Sequence, residues 1–270
     1  MSISRVFPIA VRQTLSAAAT FDATIDPDLH EEIETKLGLI TEAAALTFEG
    51  ATVAEAVNDA LAAGRDIPSD PGVRDAYFRA ELRRLRDSDQ LAEIARQRLY
   101  KAVVSNIDAI VEAFKPAHDA AGERVAAAHA VITAHGIPNL EDSGIVSAGL
   151  DVARANVEAR EALAVIHAID TALRMILTST GKLNESPVSS VVRMADTGNA
   201  SADDIRRQGR NLTPWEAVDA GYTISLATPT ETNERVARAN NLVFERDAIA
   251  AERATHMFGK RPSLLPATTK

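Results

Sequence analysis

Residues Asp142–Gly181 read DSGIVSAGLDVARANVEAREALAVIHAIDTALRMILTSTG. Taken at Ile145, Ala148, Val152, Ala155, Ala159, Ala162, Ile166, Ile169, Leu173 and Ile176, the stretch is apolar at every step, and the steps alternate three and four. That spacing keeps one stripe of a helix facing one neighbour along its length, as in a coiled-coil seam. The stretch predicts one long helix, and the rest of the chain is read as helices arranged around it.

Upstream lies His135-Gly136-Ile137-Pro138-Asn139-Leu140, a turn in which Gly ends one helix and Pro forbids its continuation. Before it a helical pattern runs from Pro71 to His135, with Val103, Ile107, Ile110, Phe114, Ala117 and Ala121 on one face and Val125, Ala128 and Ile132 carrying it on after a slip of one position. Folding about the turn sets Leu173 and Ile176 opposite Val103 and Ile107. It sets Ile166 and Ile169 opposite Ile110 and Phe114, and Ala155, Ala159 and Ala162 opposite Ala117 and Ala121. Large meets large and small meets small, as close packing requires. Pro116 interrupts the first arm and predicts a kink or break near Ala113–Lys115. The expected fold is therefore all-α, a long antiparallel coiled-coil-like hairpin at 71–181 with shorter helices beside it.

Residues 1–25 show no clear period and are read as an extended N-terminal arm. Residues 26–68 form an acidic helical pair. Asp26-Pro27 starts the first helix, with Leu29, Ile33, Leu37, Ile40 and Ala44 on one face. Thr52 with Glu55 makes the capping box of the second, which stops at Gly64. Asp70-Pro71 opens the hairpin. Residues 182–259 form a C-terminal helical region whose first part, 182–200, reads as polar turns apart from Val188, Val191 and Val192. Ser201 with Asp204 caps a short helix ending near Gly209. Thr213-Pro214-Trp215-Glu216 and Thr228-Pro229-Thr230-Glu231 are one device used twice: a Thr cap, Pro at the first position and Glu at the third. Tyr222–Ala227 between them reads as extended, and 260–270 as a mobile tail.

Composition agrees with helices. Aromatics are 4% against 46% apolar residues, and much of the difference is Ala, the best helix former. The chain has no cysteine, which excludes disulfides, thiolate metal sites and thiol nucleophiles. The net charge of −9 argues against nucleic acid or an anionic membrane as partner. Residues 1–70 concentrate it, with twelve acidic groups against four basic. No run approaches the roughly 18 apolar residues of a membrane span, and Val6–Val11 is too short for a signal peptide. The expected location is the cytoplasm, or the interior of an assembly.

No motif for chemistry stands out. A carboxylate-bridged metal pair between helices needs Glu-x-x-His, but the residues three before the six histidines are Pro27, Lys115, Ala126, Ile132, Ala164 and Arg253. The histidines read as partly exposed side chains. Gly144-Ile145-Val146-Ser147-Ala148-Gly149 has the wrong spacing for a nucleophile elbow, and Gly181-Lys182 lacks the upstream Gly of a phosphate loop. No cofactor is expected. Arg79, Arg83, Arg84 and Arg86 are interleaved with acids and read as a solvated or partner-facing helix. Arg206, Arg207 and Arg210 precede the only tryptophan, Trp215, and Arg with Trp is a pairing that recurs at protein interfaces. The competing reading has Trp215 plugging the C-terminal region onto the hairpin, mostly buried.

The function expected from these features is a non-enzymatic helical structural or interaction protein, self-assembling or part of a larger complex. The usage of six Lys among twenty-nine basic residues suggests a bacterial or phage source. The alternatives are an enzyme with its site around Arg206, Arg210, Trp215 and Tyr222, and an acidic regulatory module at 26–64.

Overall fold

The computed structural model describes residues 3–48, 51–85, 87–209 and 212–258. The described residues are all-α apart from one short antiparallel pair of two-residue strands. Their contacts divide the chain into two units. One takes Met1–Phe114 with Ala168–Leu183, the other Lys115–His167 with Asn184–Lys270. The segment 71–181, read from sequence as one hairpin, is shared between them.

The first unit contains α1 (Phe7–Thr20), α2 (Pro27–Phe48), α3 (Val53–Ala62), α4 (Pro71–Leu85), α5 (Asp87–Ser105) and α6 (Ile107–Glu112), together with the end of the long helix. Helix α2 starts as expected, with Asp26 Oδ1 accepting the backbone N–H groups of Asp28 and Leu29. It packs along α5 and buries Leu29, Ile33 and Leu37. Helix α3 carries the full Thr52–Glu55 capping box. Asp70, almost fully buried, caps α4 through the Val73 N–H and pairs with Arg65 at 3.2 Å.

The expected extended arm is instead helix α1. Phe7, Ala10, Val11, Thr14, Leu15 and Ala18 are buried, a helical stripe in which Thr14 occupies an apolar position by tucking its hydroxyl onto the Ala10 and Ala172 carbonyls. Reading Thr14 as polar hides the period. Phe7 meets Tyr100 edge-on at 5.4 Å, and the Ile3 N–H donates to Glu93.

The second unit contains α7 (Lys115–Ala134), α8 (Gly144–Ser147), the start of α9 (Leu150–Thr180), α10 (Pro187–Met194), β1 (Ala195–Asp196), α11 (Ala202–Gln208), α12 (Pro214–Asp219), β2 (Thr223–Ile224) and α13 (Pro229–Phe258). Ala195 pairs with Ile224 and Asp196 with Thr223. One apolar core takes Ala121, Val125, Ala128 and Ile132 from α7, Val152, Ala155, Ala159, Ala162 and Ile166 from α9, and Val188, Val191 and Val192 from α10.

Every position of the quoted seam except Ala148 is buried. The seam is not one helix, however. The chain breaks at Gly149, whose φ of +109° lies where L side chains are strained, so α8 and α9 are separate. The first arm is broken where Pro116 predicts, at Ala113–Phe114, because the proline ring crowds the preceding turn. It is broken again at Asn106, whose side chain turns back to the Ala102 carbonyl.

Residues 187–194, read as turns, are helix α10. Ser186 accepts the Ser189 N–H and Pro187 follows it, the same device as at Thr213 and Thr228, and Val188, Val191 and Val192 face inward. By length and composition α9 could cross a membrane, a test that the core helix of a soluble protein also passes. The tail 260–270 lies outside the described residues.

Candidate interaction site

Of the four residues singled out by sequence, Arg206, Arg207 and Trp215 are placed, while Arg210 lies outside the described residues. Helix α11 starts at the Ser201–Asp204 box and presents Arg206 and Arg207 in its last turn. Arg206 pairs with Asp203 at 2.8 Å and Arg207 with Asp204 at 3.2 Å. Arg246 of α13 reaches the same two carboxylates at 3.1 and 3.6 Å. The Ser201 hydroxyl and backbone N–H, followed by Arg207 and Arg246, hold the Asp204 carboxyl below its ordinary range. Three guanidinium groups thus share two carboxylates on an exposed surface, where each tie contributes little.

Trp215 faces elsewhere. It is 7% exposed, at the second position of α12, behind the Thr213–Glu216 box. Its ring lies 4.7 Å from that of His129 on α7, tilted 56°, and Nε1 points to the Pro138 carbonyl at 3.5 Å, the outer limit of a hydrogen bond. His129 Nε2 is 3.3 Å from Asp219 Oδ1 at the end of α12. Trp215 is therefore a plug between α12, α7 and the turn that follows α7. Tyr222 is also in the core. Burial first, then the charge of Asp204, push its phenol above the ordinary value, with the Gln208 side chain opposing.

A second constellation escaped the sequence reading. Asp119 Oδ1 on α7 accepts the Leu226 N–H at 2.9 Å and lies 3.1 Å from His118 Nδ1. His118 is buried, 1% exposed, which corrects the expectation of a partly exposed histidine. Lys115 Nζ bonds Glu231 Oε1 at 2.7 Å while the other Glu231 oxygen caps α13 through the Thr228 N–H. Burial works against the Glu231 carboxylate, and the bonds from Lys115 and Thr228 overcome it, so its carboxyl sits below the usual range. Arg235 donates to the carbonyls of Val192 and Ser225 and to the Ser225 hydroxyl.

Gly122 completes the arrangement. A methyl group there would meet Ile224 at 2.6 Å, so only glycine lets β2 lie against α7. An isolated glycine inside a helical pattern was the one signal of this close approach. The network's bonds are spent holding backbone in place.

The other feature missed is on α4. Tyr77 and Phe78 are 63% and 56% exposed, while Ala76 beside them is buried. Adjacent aromatics look like core in a sequence. Here they fall off the stripe set by Val73, Ala76 and Ala80.

Among the described residues no group of three His, Asp or Glu is placed to hold a metal ion. Comparison with known proteins finds no matching family model, no matching curated protein and no matching solved structure.

Proposed function

We propose that this is a non-enzymatic helical structural or interaction protein that associates with further copies of itself. The observation that carries the proposal is the pair Tyr77 and Phe78, two aromatic side chains left more than half exposed on one helix. Large apolar groups held together in water mark surfaces that another protein covers. Phe244 on α13, 70% exposed, points the same way. The antiparallel pairing of the two stripes belongs to the same reading, and an assembly of bacterial or phage origin would suit it. Light scattering on the full chain across a concentration series tests the proposal. A mass that rises with concentration supports it, and a monomer throughout overturns it.

A further inference from the structure

Helix α9 carries a second stripe, on the side turned away from its buried one. Leu150, Arg154, Val157, Glu161 and Ala164 recur in steps of four, three, four and three, so they share one face of the helix. Val152, Ala155, Ala159 and Ile166 lie on the opposite face and are buried. All five residues of the second stripe are exposed, Leu150 at 69% and Val157 at 54%, and all five belong to the second unit. Along this face the order is large, base, medium, acid, small. Asp151 and Glu158 flank Arg154 one turn away on either side. Yet among the described residues none of Arg154, Glu158 and Glu161 has an ion pair or a side-chain hydrogen bond. Arg160, on the next flank, is by contrast held by the Leu140 carbonyl at 2.8 Å.

We propose that this face docks on the same face of a second copy of the chain, antiparallel, about a two-fold axis beside Val157. The proposal rests on the self-association reading above and gives it a surface apart from Tyr77 and Phe78. The axis sets Val157 against Val157, Arg154 of each copy against Glu161 of the other, and Leu150 of each against Ala164 of the other. Two ion pairs form between groups that have no competing partner, and the largest side chain of the stripe meets the smallest. A parallel pairing would set Arg154 against Arg154 and Glu161 against Glu161. An antiparallel pairing shifted by a turn toward either end would set one of those residues against itself. Charge therefore selects both direction and register. The contact is self-complementary and closes at two copies. Four aliphatic side chains with small residues between them cover far less than the roughly 1,600 Å² of a standard stable interface. The dimer is therefore weak, with a dissociation constant on the order of 10 μM.

Symmetry supplies the test. Arg154→Glu puts a carboxylate against Glu161 at both ends, and Glu161→Arg puts a guanidinium against Arg154. Mixed in equal amounts, the two variants restore an ion pair at each end of a heterodimer. Val157→Glu sets two carboxylates together at the axis. All three positions are exposed, and the incoming residues are good helix formers, so the fold is retained. Circular dichroism identical to the parent checks this. Sedimentation of the full chain between about 1 and 500 μM brackets the expected affinity. Each variant alone should dissociate at least ~10-fold more readily than the parent chain, and the charge-swap mixture should return to within ~3-fold of it. If the parent associates but the single variants do so equally well, or the mixture does not recover, the α9 face is wrong while self-association stands. If the parent is monomeric at every concentration, both proposals fall, and a different protein is the occupant left for this face.

Discussion

Along α9 the buried positions recur in steps of three and four from Val152 to Ile176. Among the described residues between Asn184 and Thr228 no element exceeds eight residues, yet Val188, Val191, Val192, Ile205, Trp215, Ala217 and Ile224 are buried too. The long helix needs only its repeated pattern. The short helices α10, α11 and α12, and α13 after them, are each fixed at their start by a hydroxyl: Ser186, Ser201, Thr213 and Thr228 accept the N–H three residues on. Asp119 and Arg235 then tie backbone at points far apart in sequence, and Lys115 reaches the Glu231 carboxylate. Burial by pattern spreads its energy over many equivalent contacts, whereas burial by caps and ties concentrates it in few. The two regions should therefore respond differently to single changes.

The largest effect is expected at Trp215. Trp215→Ala removes the plug between α12 and α7 and should cost ~3–5 kcal/mol, as for other large core deletions. Chemical denaturation measures it, and a loss below ~1 kcal/mol would mean that α12 is held by its cap instead. On the pattern side, Ala159 is fully buried in the core shared by α7 and α9. Ala159→Leu overfills it and should cost ~1–3 kcal/mol. An unchanged melting temperature would remove Ala159 from the seam.

A smaller effect belongs to Thr228. Thr228→Ala deletes the acceptor for the Glu231 N–H and should cost ~1 kcal/mol. Hydrogen exchange should show the loss at the first turn of α13 and leave the middle of α9 protected.

The smallest is a matter of pH. The Glu55, Asp204 and Glu231 carboxyls are all held below their ordinary values, each by its own cap: for Glu55 Thr52 alone, for Asp204 chiefly Ser201, and for Glu231 Lys115 and Thr228 acting against burial. A folded-state pKa below the unfolded one stabilises the fold at pH above the unfolded value, and the contribution is lost as pH falls through the folded value. Stability should therefore decline on the acid side, below about pH 4, with the capped region affected first. Glu231→Gln should flatten part of that decline. An acid limb identical in the variant would place the titration elsewhere.

The same contrast decides what could be read in advance. The α9 stripe was legible because its apolar residues recur at one spacing along one helix. The boxes at Ser201, Thr213 and Thr228 were legible because a cap is local chemistry, complete within four residues. Helix α10 carries an equally local signal in Ser186-Pro187, overlooked because no acid three residues on closes the box. The breaks at Gly149 and Asn106 were hidden by apolar spacing that runs on across them. The Asp119–Leu226 bond joins residues 107 apart, and nothing near either residue names the other. Exposure of Tyr77 and Phe78 was illegible for a simpler reason. A sequence shows which residues are apolar, and only packing shows which apolar residues were left over.

The division of the chain also sets an order of assembly during synthesis. The first unit is interrupted at Phe114 and is completed only by Ala168–Leu183, after all of Lys115–His167 has been made. At ~5–20 residues per second that gap lasts roughly 3–10 s. Throughout it, the Thr14 hydroxyl lacks the Ala172 carbonyl and the Tyr100 hydroxyl lacks that of Thr180. The nascent first unit therefore waits without the end of α9, and the second unit in turn waits for the residues that follow Leu183.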